Sequence, residues 1–93
     1  MGGKSVVGQY VISKAGHDKG TIYLIVAEEG DRVFLADGRS KTVSAPKKKS
    51  RKHLQPISTF AEPEILRKLQ EGITLYPEEI RRAIRQIADD ETV

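Results

Sequence analysis

The chain contains no cysteine and no tryptophan, and its 93 residues include only two histidines and five aromatic rings, three Tyr and two Phe. Lack of cysteine excludes disulfides, thiolate metal sites and a cysteine nucleophile, and it fits a reducing compartment. Two isolated histidines, His17 and His53, supply neither a metal cluster nor a Ser-His-acid set. The expectation is therefore a protein that is not an enzyme, with no catalytic residue, metal ligand, cofactor or small-molecule substrate. No apolar run approaches the roughly 20 residues of a membrane span, and the amino terminus has no hydrophobic signal core. A cytoplasmic location without a membrane partner is expected. Two amino-terminal echoes carry nothing: Gly3-Lys4-Ser5 lacks the strand and spacing of a phosphate-binding loop, and Gly2 is not followed by Ser or Thr at position 6, where Val6 stands.

What is present is charge, unevenly distributed. The net charge is +3. Residues 1–45 carry +1, residues 46–55 carry +5 with no acid, and residues 56–93 carry −3. A positive field confined to one short segment suits a polyanionic partner. A chain this long forms one compact domain that buries about 65% of its unfolded surface, so its core is modest.

From Val7 to Ser44 the pattern is all-β. Gln9-Tyr10-Val11-Ile12 reads as a first strand, with Tyr10 and Ile12 on one face, and Thr21 to Ala27 as a second. That second run is apolar on both faces, which predicts a central strand. Glu28 to Asp31 is a turn and Arg32 to Ala36 a third strand. Asp37-Gly38 is a hairpin signal that predicts a fourth strand over Arg39 to Ser44, with Val43 as its main apolar contact. With His53-Leu54 available for a fifth, a small SH3-like barrel is the economical closure.

Between the first two strands lies Ser13-Lys14-Ala15-Gly16-His17-Asp18-Lys19-Gly20, which holds more charge than a turn needs. Gly16 and Gly20 allow the backbone to approach a ligand closely, and Lys14 and Lys19 can neutralise phosphates. His17 is equally readable as an exposed turn residue or a base contact. Asp18 has the wrong sign for phosphate and is expected to orient the loop through local backbone hydrogen bonds. The basic segment 46–53 reads either as a solvated, mobile loop or as a phosphate-contacting arm, and short basic runs also serve as nuclear-import or heparin patches. His53 is expected to pack at the rim beside Leu54.

The last third is helical. Pro63 opens a helix carrying Ile65, Leu66 and Leu69 and stopping at Gly72; Pro77 opens a second, with Ile80, Ala83, Ile84, Ile87 and Ala88 in one stripe. Arg81, Arg82 and Arg85 lie off that stripe and read as a solvated face with Glu78 and Arg82 paired, the alternative being contact with RNA. The stripe itself must be buried on the strands, on the first helix or on a protein partner.

Gly8 to Gly20, followed by a hydrophobic strand, resembles a KOW motif, with Gly20 at the hallmark glycine. Lys52-His53-Leu54-Gln55-Pro56 is similar to the K-H-L-x-P segment that closes the barrel in a group of small archaeal and eukaryotic large-subunit ribosomal proteins. The chain as a whole resembles short bacterial KOW-domain RNA-binding proteins likened to that group. The match covers residues 6–57, with the helices matching more loosely.

The resemblance implies a mainly β fold: a five-stranded SH3-like barrel over 6–57, including the basic loop 46–53, followed by a helical extension over 58–93. It implies binding of RNA, specifically ribosomal RNA of the large subunit, through the first loop and nearby basic residues. In that loop Lys14, Gly16, Asp18, Lys19 and Gly20 match the motif, while His17 stands where the family often has Arg. A neutral His offers one donor where Arg offers a charged fork, so binding there is expected to be weaker or pH-dependent. The implied RNA-binding residues are Lys14, Gly16, His17, Lys19, Gly20, Arg39, Lys41, Lys47, Lys48, Lys49, Arg51 and Lys52. With Tyr10, Tyr23 and Phe34 inside strands, no stacking platform is expected, so recognition should be by shape and phosphate. The alternative is a protein-interaction module of transcription elongation or translation, for which an aromatic-lined groove would be the sign.

Overall fold

A computed structural model describes residues 6–91, and the Gly2 and Gly3-Lys4-Ser5 features lie outside the described residues. Alternating β-branched and aromatic residues form β1 (Gln9–Ser13), β2 (Ile22–Glu29) and β3 (Arg32–Ala36). They are joined by β4 (Lys47–Ser50) and β5 (Leu54–Phe60) in an antiparallel sheet of order β4-β3-β2-β1-β5. A three-residue 3-10 turn, Arg51–His53, links the last two strands. Two helices follow, α1 (Pro63–Glu71) and α2 (Pro77–Glu91), so the fold is mainly β.

As its two apolar faces predict, β2 is central. On one face Leu24 joins Tyr10, Ala36 and Ile57 beneath the helices. On the other, Tyr23 and Ile25 pack with Val11, Val33, Leu35 and Leu54. The ladder does not close on itself, because β4 and β5 remain edges. Both edges carry residues that resist further pairing: lysines on β4, and on β5 Pro56, which has no N–H to donate.

The helices begin and end as their sequence predicts. Pro63 starts α1, and Gly72 ends it in a left-handed conformation, its N–H reaching the Lys68 carbonyl. Ile65, Leu75, Ile80 and Ile87 are buried on the sheet, which answers what covers the apolar stripe. Truncating a fully buried residue such as Ile80 to Ala costs about 2–5 kcal/mol. An exposed ion pair contributes no more than about 1 kcal/mol, so apolar burial fixes the helices in place. The expected Glu78–Arg82 pair is not formed among the described residues; Glu79 is the acid engaged, by Lys68 at 2.8 Å.

Three strand expectations are corrected. Arg39 to Ser44 is a loop. The Asp37 carboxylate accepts the N–H groups of Arg39 and Lys41, and the N–H groups of Asp37 and Gly38 both reach the Lys41 carbonyl. Thr42 similarly holds the Ala45 N–H, so the backbone is satisfied locally and forms no ladder. Val43 is half-buried against the helix-side core from within this loop. The fourth strand is the lysine run itself, Lys47–Ser50 paired with β3, and the basic segment 46–53 is accordingly strand and 3-10 turn instead of a mobile loop. The fifth strand starts at Leu54 and runs to Phe60, past the expected boundary at residue 57, while His53 ends the 3-10 turn and is exposed instead of packed at a rim.

Gly38 is the tightest glycine in the fold. Its φ is +77°, and an added Cβ would lie 2.5 Å from the Pro77 carbonyl oxygen and 2.9 Å from Arg81 Cγ. Gly20 has φ +92° but open space around it. Gly38→Ala should therefore cost about 3 kcal/mol or more, combining left-handed strain with collision against α2. Gly20→Ala should cost only the conformational share, about 1–2 kcal/mol. Urea unfolding of both variants checks the ranking, and equal losses would remove the α2 contact from the account.

Candidate nucleic-acid interface

The loop between β1 and β2 is shaped by one carboxylate. Asp18 accepts hydrogen bonds from Ser13 Oγ at 2.8 Å, Tyr23 Oη at 2.8 Å, Lys47 Nζ at 2.6 Å and Lys49 Nζ at 2.8 Å. Lys49 also donates to Ser13 Oγ and to the Ala15 carbonyl. The expectation of local backbone bonds from the Asp18 side chain is thus corrected: it holds the loop through side chains brought from β1, β2 and β4. Strand alternation explains the selection. Lys47 and Lys49 point to one face of β4 and meet Asp18, while Lys48 points to the other, 5.5 Å above the Phe34 ring and 2.6 Å from Glu29.

Burial alone would raise the Asp18 carboxyl, but the bonds from Lys47, Lys49, Tyr23 and Ser13 outweigh it and hold the group far below the usual carboxylate range. Tyr23 moves the other way, its phenol raised by burial and by the same carboxylate. On the helix side Tyr10 is pushed up to about 12, chiefly by burial and then by Glu62.

The implied RNA-binding residues separate into two groups. Lys14, His17, Lys19, Arg39 and Lys52 are exposed, and Lys41 is half-exposed. Gly16 and Gly20 both have positive φ and lie at the surface of the loop. Lys47, Lys49 and Arg51 are engaged within the fold: Arg51 binds Glu28 at 2.8 Å and the Gly30 carbonyl, and its own N–H reaches the Asp31 carbonyl. Lys48 is exposed but partnered by Glu29 and Phe34.

Antiparallel pairing places the β1–β2 loop and the β3–β4 loop at the same end of the sheet, so Lys14, His17 and Lys19 share that end with Arg39 and Lys41. The Lys14 N–H donates to the His53 carbonyl, which draws Lys52 and His53 to the same loop. Behind β4, Arg32, Lys48, Lys49, Lys52 and His53 line a cleft of about 430 Å³ together with Asp31. Arg32 was not singled out by its sequence context; its register opposite Ser50, beside the turn, is the signal that places it there.

Tyr10 and Tyr23 are core residues and Phe34 is half-buried under Lys48, so these three rings offer no open stacking surface. A second, apolar cleft of about 430 Å³ lies on the helix side, lined by Val26, Val43, Leu69 and Leu75 with the exposed Ile73 and Tyr76 at its rim. Among the described residues no three His, Cys, Asp or Glu side chains are grouped to hold a metal ion, and no helix is long and apolar enough to cross a membrane.

The Asp18 network carries a pH signature. A carboxyl depressed by folding contributes stability that is present above its unfolded value near 4 and is lost as pH falls toward the folded value. Asp18→Asn should lower stability at pH 7 by about 1–3 kcal/mol, because Lys49 keeps a partly buried ammonium without its counter-ion. The variant should also lose less on acidification from pH 5 to 2 than the native chain does. Urea midpoints against pH measure both, and parallel curves would show that the carboxylate does not support the fold.

No protein-family model matches the chain, and comparison with curated proteins gives no match.

Proposed function

We propose that this chain is a non-catalytic RNA-binding protein that docks on ribosomal RNA of the large subunit. In this reading the sheet is an SH3-like barrel of the KOW kind, with its seam between β4 and the first loop bridged by the lysines on Asp18 instead of by a strand ladder. The observation that carries the proposal is the gathering of solvent-facing cations at one end of the sheet from distant parts of the sequence: Lys14 and Lys19 flanking His17 in one loop, Arg39 and the half-exposed Lys41 in another, and Lys52 beside them. Gly16 and Gly20 lower the steric profile of the loop so that a sugar-phosphate strand can approach its backbone.

The division of labour among the basic residues follows from their partners. Lys14, Lys19, Arg39 and Lys52 are available to phosphates, whereas Lys47, Lys49 and Arg51 act first on the loop and turns that present them. Recognition by phosphate and shape, with little base reading, fits the enclosure of Tyr10, Tyr23 and Phe34 in the strands, where Phe60 at the end of β5 is the exposed ring.

A second reading, a protein-interaction module, draws on the apolar cleft beside Tyr76. Sedimentation of cell extract at low and high salt separates the two. Salt-sensitive migration with large ribosomal subunits supports the first reading, and salt-resistant migration with RNA polymerase selects the second.

With about five phosphates neutralised, the slope of log affinity against log salt should lie near −3.5 to −4.5. A salt-independent affinity would sink the phosphate reading. Lys14→Ala, Lys19→Ala and Lys52→Ala combined should weaken binding of every RNA tested while leaving the urea midpoint within about 0.5 kcal/mol of native stability. Lys49→Ala should do the reverse in order, destabilising the fold before it touches RNA affinity. Filter binding paired with unfolding curves distinguishes them.

A further inference from the structure

The helical third of the chain carries a net charge of −3, yet its basic residues are not spread evenly. Arg81 and Arg82 on one turn of α2 and Arg85 on the next line a shallow cleft with Glu78. Arg82 and Arg85 are exposed, and among the described residues neither has an ion-pair partner within 4 Å. Acids border this face, with Glu78 in the same cleft and Glu62, Glu64 and Glu79 sharing a second small cleft with Arg82, and a helix face of this kind is ordinarily solvated and isolated.

Here it is not isolated. The Arg81 guanidinium donates to the Gly38 carbonyl, and Gly38 is pressed against the Pro77 carbonyl so closely that no side chain fits between. The β3–β4 loop is thereby fastened to the first turns of α2. Arg39 is the next residue, exposed, and Lys41 closes the same loop on Asp37. Asp37 in turn lies near enough to the β1–β2 loop's anchor to raise the Tyr23 phenol. The cations of the sheet's loop end therefore adjoin the helix at the Gly38–Arg81 contact: Arg39 follows Gly38 in the chain, and Arg82 and Arg85 share a shallow cleft with Arg81.

We propose that Arg82 and Arg85 of α2 extend the RNA-binding surface, so that one folded RNA lays its sugar-phosphate backbone across both the loop end of the sheet and the adjoining helix face. The inference rests on the RNA-binding reading. Arginine suits this position because its planar fork grips phosphate oxygens in pairs and stays charged at any pH the protein meets. Arg81 is the positioning residue, committed to Gly38, and Arg82 and Arg85 make the contacts.

The test is the pair Arg82→Glu and Arg85→Glu in the full chain, with purified large-subunit ribosomal RNA as the probe and Lys14→Ala with Lys19→Ala as the comparison. The helix variant should bind at least about tenfold more weakly at 0.1 M salt, and its salt slope should fall in magnitude by about 1.4 to 1.8, the share of two phosphates. Arg82→Ala with Arg85→Ala should give the same direction at smaller size with a urea midpoint within about 0.5 kcal/mol of native stability, which separates loss of contact from repulsion and from the acids that border Arg82. Native affinity and slope in a folded helix variant, with the loop variant weakened, would overturn the extension alone and leave the arginine face to an acidic protein partner. If neither variant altered binding, both the extension and the RNA reading beneath it would fall.

Discussion

The contact on which the rest of the structure depends is the clasp of the Lys47 and Lys49 ammonium groups on the Asp18 carboxylate. β4 is an edge strand paired with β3, and no backbone ladder joins it to the β1–β2 loop. Charge does so instead. The pairs are partly buried, with Lys49 and Asp18 showing only 10% and 14% of their side chains to solvent, so the attraction is screened less than at an open surface. Tyr23 and Ser13 supply the remaining hydrogen bonds, which removes the penalty of a half-satisfied charge. No buried side-chain polar atom among the described residues is left without a partner, so the cluster is satisfied as a unit.

Because the clasp fixes the loop from behind, its outward residues are free to serve a ligand. Lys14, His17 and Lys19 are exposed on a backbone held by Gly20 N–H to Ser13 carbonyl and Thr21 N–H to Asp18 carbonyl bonds. A pre-formed loop loses less conformational entropy on binding than a flexible one, and each lysine that meets a phosphate then contributes more of its electrostatic gain to affinity. The same logic reaches the β3–β4 loop, which Asp37 closes internally and Arg81 fastens to α2.

How much of this could be read from the sequence depends on whether local pattern or distant partner decided the outcome. β1 to β3 follow from alternation, and α1 and α2 from Pro63, Gly72, Pro77 and the Ile80 stripe, because each of these signals acts within a few residues. The fourth strand was hidden for the opposite reason. Lysine disfavours strands intrinsically, so Lys47-Lys48-Lys49 reads as loop, and only the pairing with β3 and the acids Asp18 and Glu29 on its two faces make it a strand. Conversely, Arg39 to Ser44 has strand-like spacing, but Asp37 and Thr42 satisfy its backbone locally and win. In the candidate site, the glycines and cations of the first loop were legible, whereas the inward turn of Lys47, Lys49 and Arg51 was not, since charge runs carry no sign of which face they present.

That inward turn changes where the positive field originates. Lys47 and Lys49 share one carboxylate, Lys48 faces Glu29 and Arg51 faces Glu28, so four of the five cations of the densest basic segment meet three acids at contact distance. At a few ångströms such pairs act as dipoles, whose field falls off faster than that of a free charge, and beyond a Debye length of about 8 Å little of it survives. Attraction of a polyanion from solution must then come mainly from cations without such partners, which are scattered through the sequence as Lys14, Lys19, Arg39, Lys52, Arg82 and Arg85. The fold collects them at one end and around one helix, while the conspicuous lysine run serves chiefly to hold the surface on which they stand.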